Sequence, residues 1–299
     1  MHSDAGLQLL TTAEAAEYLR IKERKLYELV AEQAIPCTKV TGKWLFPRAD
    51  LDRWLLAGMA RPLGVIPADP PPIVGGSHDP LLQWALAESR AGLAMLPEGS
   101  AVGLCRFLAG QIVAAAIHFH DIDDMDKDAN VAVVAKESTL YDAVLIGFAS
   151  REQGLIVAPG NPLELSRLAD AKVRSARLVI RPEGAGAQQL MRSLLKRDGL
   201  GLADFGTPIV APTGPDVAQA IRAGHADCGI ATRAVATVAG LDFIPITIER
   251  FDLLMRQRDS YRPPLQQLLG LLRQPLFAAR AKELGGLDVT FAGTTRWAP

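Results

Sequence analysis

The chain has 299 residues, more than one domain usually holds, so two domains are expected. Its 49% apolar content supplies a substantial core and excludes a disordered chain, while a net charge of −1 confines any nucleic-acid surface to a local patch. The three cysteines, Cys37, Cys105 and Cys228, are odd in number and contain no CxxC pair. That excludes a disulfide framework and a zinc ribbon and suits a reducing compartment. The opening residues MHSDAGLQLL lack the basic flank and apolar run of a secretory signal, and the longest apolar stretch, around Ile112 to Ile117, is too short to span a bilayer. A cytoplasmic location is the expectation.

The first predicted element is a helix opened by Leu10-Thr11-Thr12-Ala13-Glu14, where Thr11 caps free amides and Glu14, three residues on, reaches back. It runs to Leu19. Arg20-Ile21 then turns the chain into a second helix, Lys22 to Gln33, with Leu26, Leu29 and Val30 at inward-facing spacing and Arg24, Lys25 and Glu28 on other faces. Pro36 ends the helical region. CTKVTGKWLF predicts a hairpin or wing with Thr41-Gly42 at its turn and Lys39 and Lys43 on its strands. ADLDRWLL closes a small core with Leu51, Trp54 and Leu55 on one helical face, Trp44 and Trp54 being core rather than base-stacking groups. Between Arg20 and Arg48 there are seven basic residues against three acidic ones, a patch suited to phosphates.

This stretch, TTAEAAEYLR through DLDRWL, resembles the excisionase-type, MerR-like winged helix-turn-helix over roughly the first 56 residues. The resemblance implies that the second helix enters the major groove of double-stranded DNA and that the wing contacts the backbone or minor groove. Lys22, Arg24, Lys25, Tyr27, Lys39 and Lys43 are then the DNA-binding candidates, with Arg24 or Lys25 able to reach guanine edges.

Arg61 to Gly76, rich in Pro and Gly, reads as a semi-extended linker. The domain boundaries expected are 1–58 for the winged helix-turn-helix, 59–74 for the linker and 75–299 for the larger domain. Beyond the linker, strands are predicted at Ala114–Phe119, Val144–Phe148, Gly154–Val157, Arg177–Ile180, Cys228–Ala231 and Phe243–Ile246. Helices are predicted at Pro80–Arg90, Ala101–Ala109, Pro162–Ala169, Ala187–Asp198, Pro215–Ala223, Pro263–Leu272 and Pro275–Leu284. The alternation predicts an α/β domain with a mostly parallel sheet.

Four loops lead directly into helices: Gly75 to Asp79, Glu98 to Ser100, Glu183 to Gly186, and Thr213-Gly214. Each helix start presents unpaired amides to an anion, and converging starts make a ligand cleft. The segments GSHDPLLQWAL, LPEGSAVGLCRFLAGQIVAAAIHFHD, REQGLIVAPGNPLELSRLAD, RLVIRPEGAGAQQLM, TGPDVAQAIRAGHADCGIA and AGLDFIPITIERFDLLM resemble type II periplasmic-binding-protein domains, of the molybdate-binding-like group fused to helix-turn-helix regulators. The resemblance covers about residues 73 to 295 and implies two lobes, about 75–152 with 240–299 and about 153–239, closing over a ligand.

Ser77, His78, Asp79, Ser100, His118, Arg151, Arg181, Gly184, Gly186 and Thr213 are the ligand-binding candidates. The loop after Arg181 departs from the family's Gly-Ser-Gly-Thr-Arg pattern: Ala185, Ala187 and Gln188 replace two hydroxyls and one Arg, and Gly214 follows Thr213 where a His is usual. An oxyanion such as molybdate or tungstate is one ligand reading, and a larger or less charged small molecule fits equally. His118 and His120, two apart at a strand end, face one side and can share a metal; spacing supplies no third nitrogen or sulfur ligand, so no metal is assigned and the acidic run Asp121 to Asp128 reads as a solvated loop. His225 and Cys228 read as structural.

The function expected is a ligand-responsive transcriptional regulator that binds double-stranded DNA as a homodimer and needs no cofactor. The alternatives are a DNA-binding architectural protein whose larger domain only oligomerises, and a DNA-targeted enzyme. No GxSxG elbow, Walker loop or nucleophile–base pairing is present, so an enzyme is not the expectation.

Overall fold

The computed structural model describes residues 8–39, 42–57, 69–120 and 128–299. The chain divides into two compact units, Met1–Val65 and Ile66–Pro299. Residues 59–68 of the expected linker, Thr41 of the expected wing turn and most of the acidic run, 121–127, lie outside the described residues.

In the first unit, Thr11 caps helix Thr12–Tyr18 in a full capping box with Glu14, the local pattern the sequence predicts. The second helix is Glu23–Ala31 and the third Arg48–Ala57. Ala15, Ala16, Leu26, Ile35, Phe46 and Leu51 form the buried core, with Leu29, Val30, Trp44 and Trp54 packed against it. The Trp54 indole donates to the Ala34 carbonyl at 2.7 Å, so its polar end is satisfied where its ring is half-buried. Leu55, expected on the inward face, is 42% exposed instead. The hairpin expected over CTKVTGKWLF reduces, among the described residues, to a single bridge between Thr38 and Leu45. Leu45–Pro47 pairs instead with Leu9–Thr11, antiparallel, because that pairing lets Phe46 enter the core beside the first helix.

The second unit is built on one sheet. From one edge its strands run Ala94–Pro97, Ile73–Gly76, Ala114–Ile117, Asp242–Arg256, Ala143–Val157, Cys228–Thr232, Leu178–Ile180 and Ile209–Val210. The outer strands pair in parallel, as crossover helices require. The middle does not: the two 15-residue strands pair antiparallel with each other and with their neighbours. The sheet is therefore mixed rather than mostly parallel. The strand Ala143–Val157 was expected as two pieces, and Asp242–Arg256 only as Phe243–Ile246, because Ser150-Arg151-Glu152-Gln153 and Thr247 to Arg250 interrupt the apolar runs. Helix Pro162–Ala169 does not form; Asn161 and Asp170 side chains hold that segment as turns by bonding the amides of Leu165, Ser166 and Arg167. Strand Ile73–Gly76, inside the expected linker and loop, pairs on both sides and opens the unit.

The long strands connect two halves. One core packs Leu81, Leu82, Phe148, Phe251, Leu268 and Phe277 against one end of the sheet; the other packs Leu155, Leu178, Leu190, Met191 and Ile230 against the other end. Phe148, fully buried, meets Phe251 and Phe277 edge-on at 5.5 and 5.3 Å. Phe148→Ala is expected to cost about 3–5 kcal/mol, read as a lower urea midpoint at unchanged m-value.

Candidate functional site

The register of the long strands sets the site. Glu249 lies directly opposite Arg151, and Ile117 opposite Asp252, which delivers His118 beside the same spot. Arg151 is 1% exposed. Its Nε donates to Glu249 Oε1, Nη1 to Asp79 Oδ2 at 2.9 Å, and Nη2 to His118 Nδ1 at 2.7 Å, while its plane covers the Phe251 ring at 3.9 Å. Gln153 donates to the same Glu249 oxygen at 3.0 Å, and His120 Nε2 meets the other at 2.8 Å. Burial alone raises the Glu249 carboxyl, but the Arg151 guanidinium and the hydrogen bond from His120 outweigh it and leave the group below the usual carboxylate range. Burial drives the His118 imidazole well below its ordinary value despite Glu249, so the ring is neutral. Arg151 can only donate, so the neutral ring carries its proton on Nε2.

Glycines allow the close approaches. A Cβ on Gly103 would meet the backbone of Gly76 within 3.0 Å, so only glycine lets helix Ser100–Leu108 lie against strand Ile73–Gly76. That approach puts Ser100 Oγ 2.8 Å from Ser77 Oγ and 2.8 Å from the His118 carbonyl. On the other side, a Cβ on Gly186 would fall within 3.0 Å of the His118 ring and 2.7 Å from its carbonyl oxygen. Helix Gly186–Arg197 thus starts directly on His118, with no side chain capping its first amides.

Between these groups lies a small cavity whose wall includes Ser77, His78, His118, Arg151, Gln153 and Arg181, with small residues such as Ala185, Ala187 and Gly214 beside them. The space open to a water's centre is about 20 Å³, room for about one or two waters. Arg181 donates through Nη2 to the Pro212 carbonyl at 2.7 Å, and its buried Nε has no partner among the described residues. Burial lowers Arg181 to about 10, with Asp216 opposing, so it stays cationic.

Five sequence candidates, Ser77, His78, His118, Arg151 and Arg181, line this one cavity. The others stand behind or beside it. Asp79 is fully buried, caps helix Pro80–Glu88 and holds Arg151. Ser100 reaches the wall through Ser77, and Gly184 at φ +82° shapes the loop before Ala185. Thr213 is engaged with Asp216 in a capping box, leaving its neighbour Gly214 on the wall. Sequence reasoning missed Gln153, Thr232 and Glu249. The available signal for Glu249 was a carboxylate in the strand run from Ile244 to Leu254, on the same strand face as Phe251 and Leu253.

In the first unit, Lys22, Arg24, Lys25, Tyr27, Lys39 and Lys43 are all exposed. Arg24 and Lys25 both lean on Glu28, at 3.3 and 3.2 Å, and the Lys39 ammonium sits 5.1 Å over the Trp44 ring. Such surface ion pairs are worth little and leave both cations available to a stronger anion.

Comparison with known proteins follows the same division. The model of the PBP superfamily domain matches residues 83–273, and that of a helix-turn-helix domain matches residues 9–59. The uncharacterised protein YvgK of Bacillus subtilis is 23% identical over 299 residues, covering 95% of this chain and 96% of that protein. An uncharacterised protein encoded in the 5′ region of a 2Fe-2S ferredoxin gene of Clostridium pasteurianum is 30% identical over 78 residues, 26% of this chain and 69% of its own. Among solved structures, a protein of Clostridium perfringens described as a phosphate ABC transporter substrate-binding protein, with bound phosphate, superposes with a TM-score of 0.51 at 11% identity, over 72% of this chain and 97% of its own. That likeness concerns the fold.

Gly186→Ala forces either the His118 ring or the helix start to move, and is expected to cost about 1–3 kcal/mol in a thermal melt. Gly201→Ala, with no atom near the new methyl group, is expected to leave the melt within about 0.5 kcal/mol of wild type.

Proposed function

Because the chain belongs to the PBP superfamily through residues 83–273 and carries a helix-turn-helix domain ahead of it, we propose that it is a ligand-responsive, DNA-binding transcriptional regulator whose larger domain senses a small anion. The observation that carries the ligand class is the cavity wall. Arg181, cationic and with a spare buried donor, faces it, and the uncapped start of helix Gly186–Arg197 adds free amides and a partial positive charge. The Arg151 charge is already matched by carboxylates, so the cavity favours a compact anion of low charge that takes its hydrogen bonds from Arg181, Ser77 and backbone amides. A tetrahedral oxyanion such as molybdate exceeds the present space, so its entry requires the two halves of the sheet to part about the long strands. Binding without chemistry is part of the proposal, as are a homodimer and a cytoplasmic location; no helix among the described residues is long and apolar enough to cross a membrane.

The test is thermal-shift titration of the full chain with molybdate, tungstate, phosphate and small carboxylates. One of them is expected to raise Tm saturably, with the rise lost in Arg181→Gln. A flat response to every anion, in protein with a cooperative melt, overturns the sensor reading and favours a larger domain that only assembles the DNA-binding units.

For the DNA-binding unit, Arg24→Ala with Lys43→Ala is expected to weaken retention on double-stranded DNA at least about tenfold and to lower the salt slope by about two. Unchanged retention in a gel-shift series at several salt concentrations would refute the assigned surface.

A further inference from the structure

We propose that His118, His120 and Glu249 form a binding site for a divalent first-row transition metal, a site distinct in ligand chemistry from the anion cavity it adjoins. One ligand atom from each lies within 4.8 Å of the others. His120 Nε2 to Glu249 Oε2 is 2.8 Å, and His118 Nε2 to Glu249 Oε1 is 3.9 Å. An ion with bonds of about 2.0–2.2 Å needs donors about 3 Å apart, so the His118 ring must draw in to ligate beside Glu249. Two imidazoles and one carboxylate suit zinc, divalent iron and cobalt, while calcium and magnesium prefer oxygen alone.

The surroundings point the same way. His118 Nε2 is buried and has no hydrogen-bond partner among the described residues, an uncompensated cost that coordination would remove. Asp79 and Glu249 both face Arg151, so this cluster holds one more carboxylate than guanidinium, and a cation is the natural complement. Supporting groups are in place. Gln153 holds Glu249, and Asn130 fixes the histidine segment by accepting from the Phe119 amide and donating to Asp252.

Arg151 is the group that opposes loading, because it donates to His118 Nδ1, whereas metal on Nε2 requires the proton on Nδ1. The structure offers both parties an alternative. Ser100 Oγ lies 3.4 Å from His118 Nδ1 as an acceptor for the transferred proton, and Asp79 keeps the guanidinium paired when Glu249 turns to the metal. No proton is lost from His118 in this exchange; the ring changes tautomer, and His120, whose Nε2 donates to Glu249, must likewise move its proton to Nδ1 before that nitrogen can ligate.

The experiment is titration of untagged, chelator-stripped full chain with Co²⁺ and Zn²⁺ in phosphate-free buffer, followed by visible absorption and calorimetry. Saturable uptake of one ion per chain, weakened at least about tenfold in His120→Ala and unchanged in His225→Ala, supports the site. His120 does not line the anion cavity, so this outcome is independent of anion sensing. The proposal is overturned by no saturable uptake in folded wild-type protein, or by full affinity in a folded His120→Ala variant. Because that variant can fail to fold, zinc K-edge absorption of the loaded wild type gives a second reading. Two imidazoles with oxygen support the assignment, and fewer than two imidazoles refute it.

Discussion

The structure of the larger unit depends on burying one guanidinium. Arg151 sits near the middle of a 15-residue strand, buried, and its charge is tolerable because each of its three nitrogens meets an acceptor, two of them carboxylates. Those acceptors come from separate parts of the chain: Asp79 from the cap of the first helix, Glu249 from the opposing long strand, His118 from the end of a third strand. Removing one partner of a buried pair usually costs about 3–5 kcal/mol, so the network ties sheet register, helix start and strand end to one geometry. A one-residue slip between the long strands would turn Glu249 to the opposite face and leave Arg151 without its nearest countercharge.

The same network divides labour at the cavity. Arg151 is spent on protein partners and serves as a positioning residue that orients His118 and Glu249. Arg181, by contrast, keeps an unused buried donor among the described residues. Glycines do the complementary steric work: Gly103 admits a helix against a strand, and Gly186 admits a helix terminus against an imidazole. The hydroxyls that the loop after Arg181 lacks are replaced by the small residues Ala185 and Ala187, so that side of the wall offers backbone amides rather than side-chain donors.

What could be read from sequence followed the range of the forces involved. The capping box at Thr11 and Glu14, the helices Pro263–Leu272 and Pro275–Leu284, and the core positions Leu26 and Leu51 were legible because they rest on spacings of three or four residues. The long strands were not, since the polar residues that break their apolar pattern are buried by each other, 98 positions apart in the case of Arg151 and Glu249. Glu249 escaped notice for that reason, although it joins two histidines that the HxH spacing had already marked. The segment after Asn161 shows the opposite failure. Its helical pattern was real, but the Asn161 and Asp170 side chains, bonding the amides of Leu165, Ser166 and Arg167, outcompeted the helix.

Under the regulator reading, a ligand can shift the larger unit between open and closed arrangements only by what it gains in one and not the other. Ser77 and Arg151 belong to one half of the sheet and are held by protein partners whether or not the cavity is filled. Arg181 and the first amides of helix Gly186–Arg197 belong to the other half and are not. The differential affinity must therefore come mainly from groups that meet the ligand only when Gly186 closes on His118. A signal of tenfold in DNA affinity needs about 1.4 kcal/mol of that difference, which is within reach of one charge-assisted hydrogen bond from Arg181. On that reading, closure rather than the Arg151 cluster would carry the information.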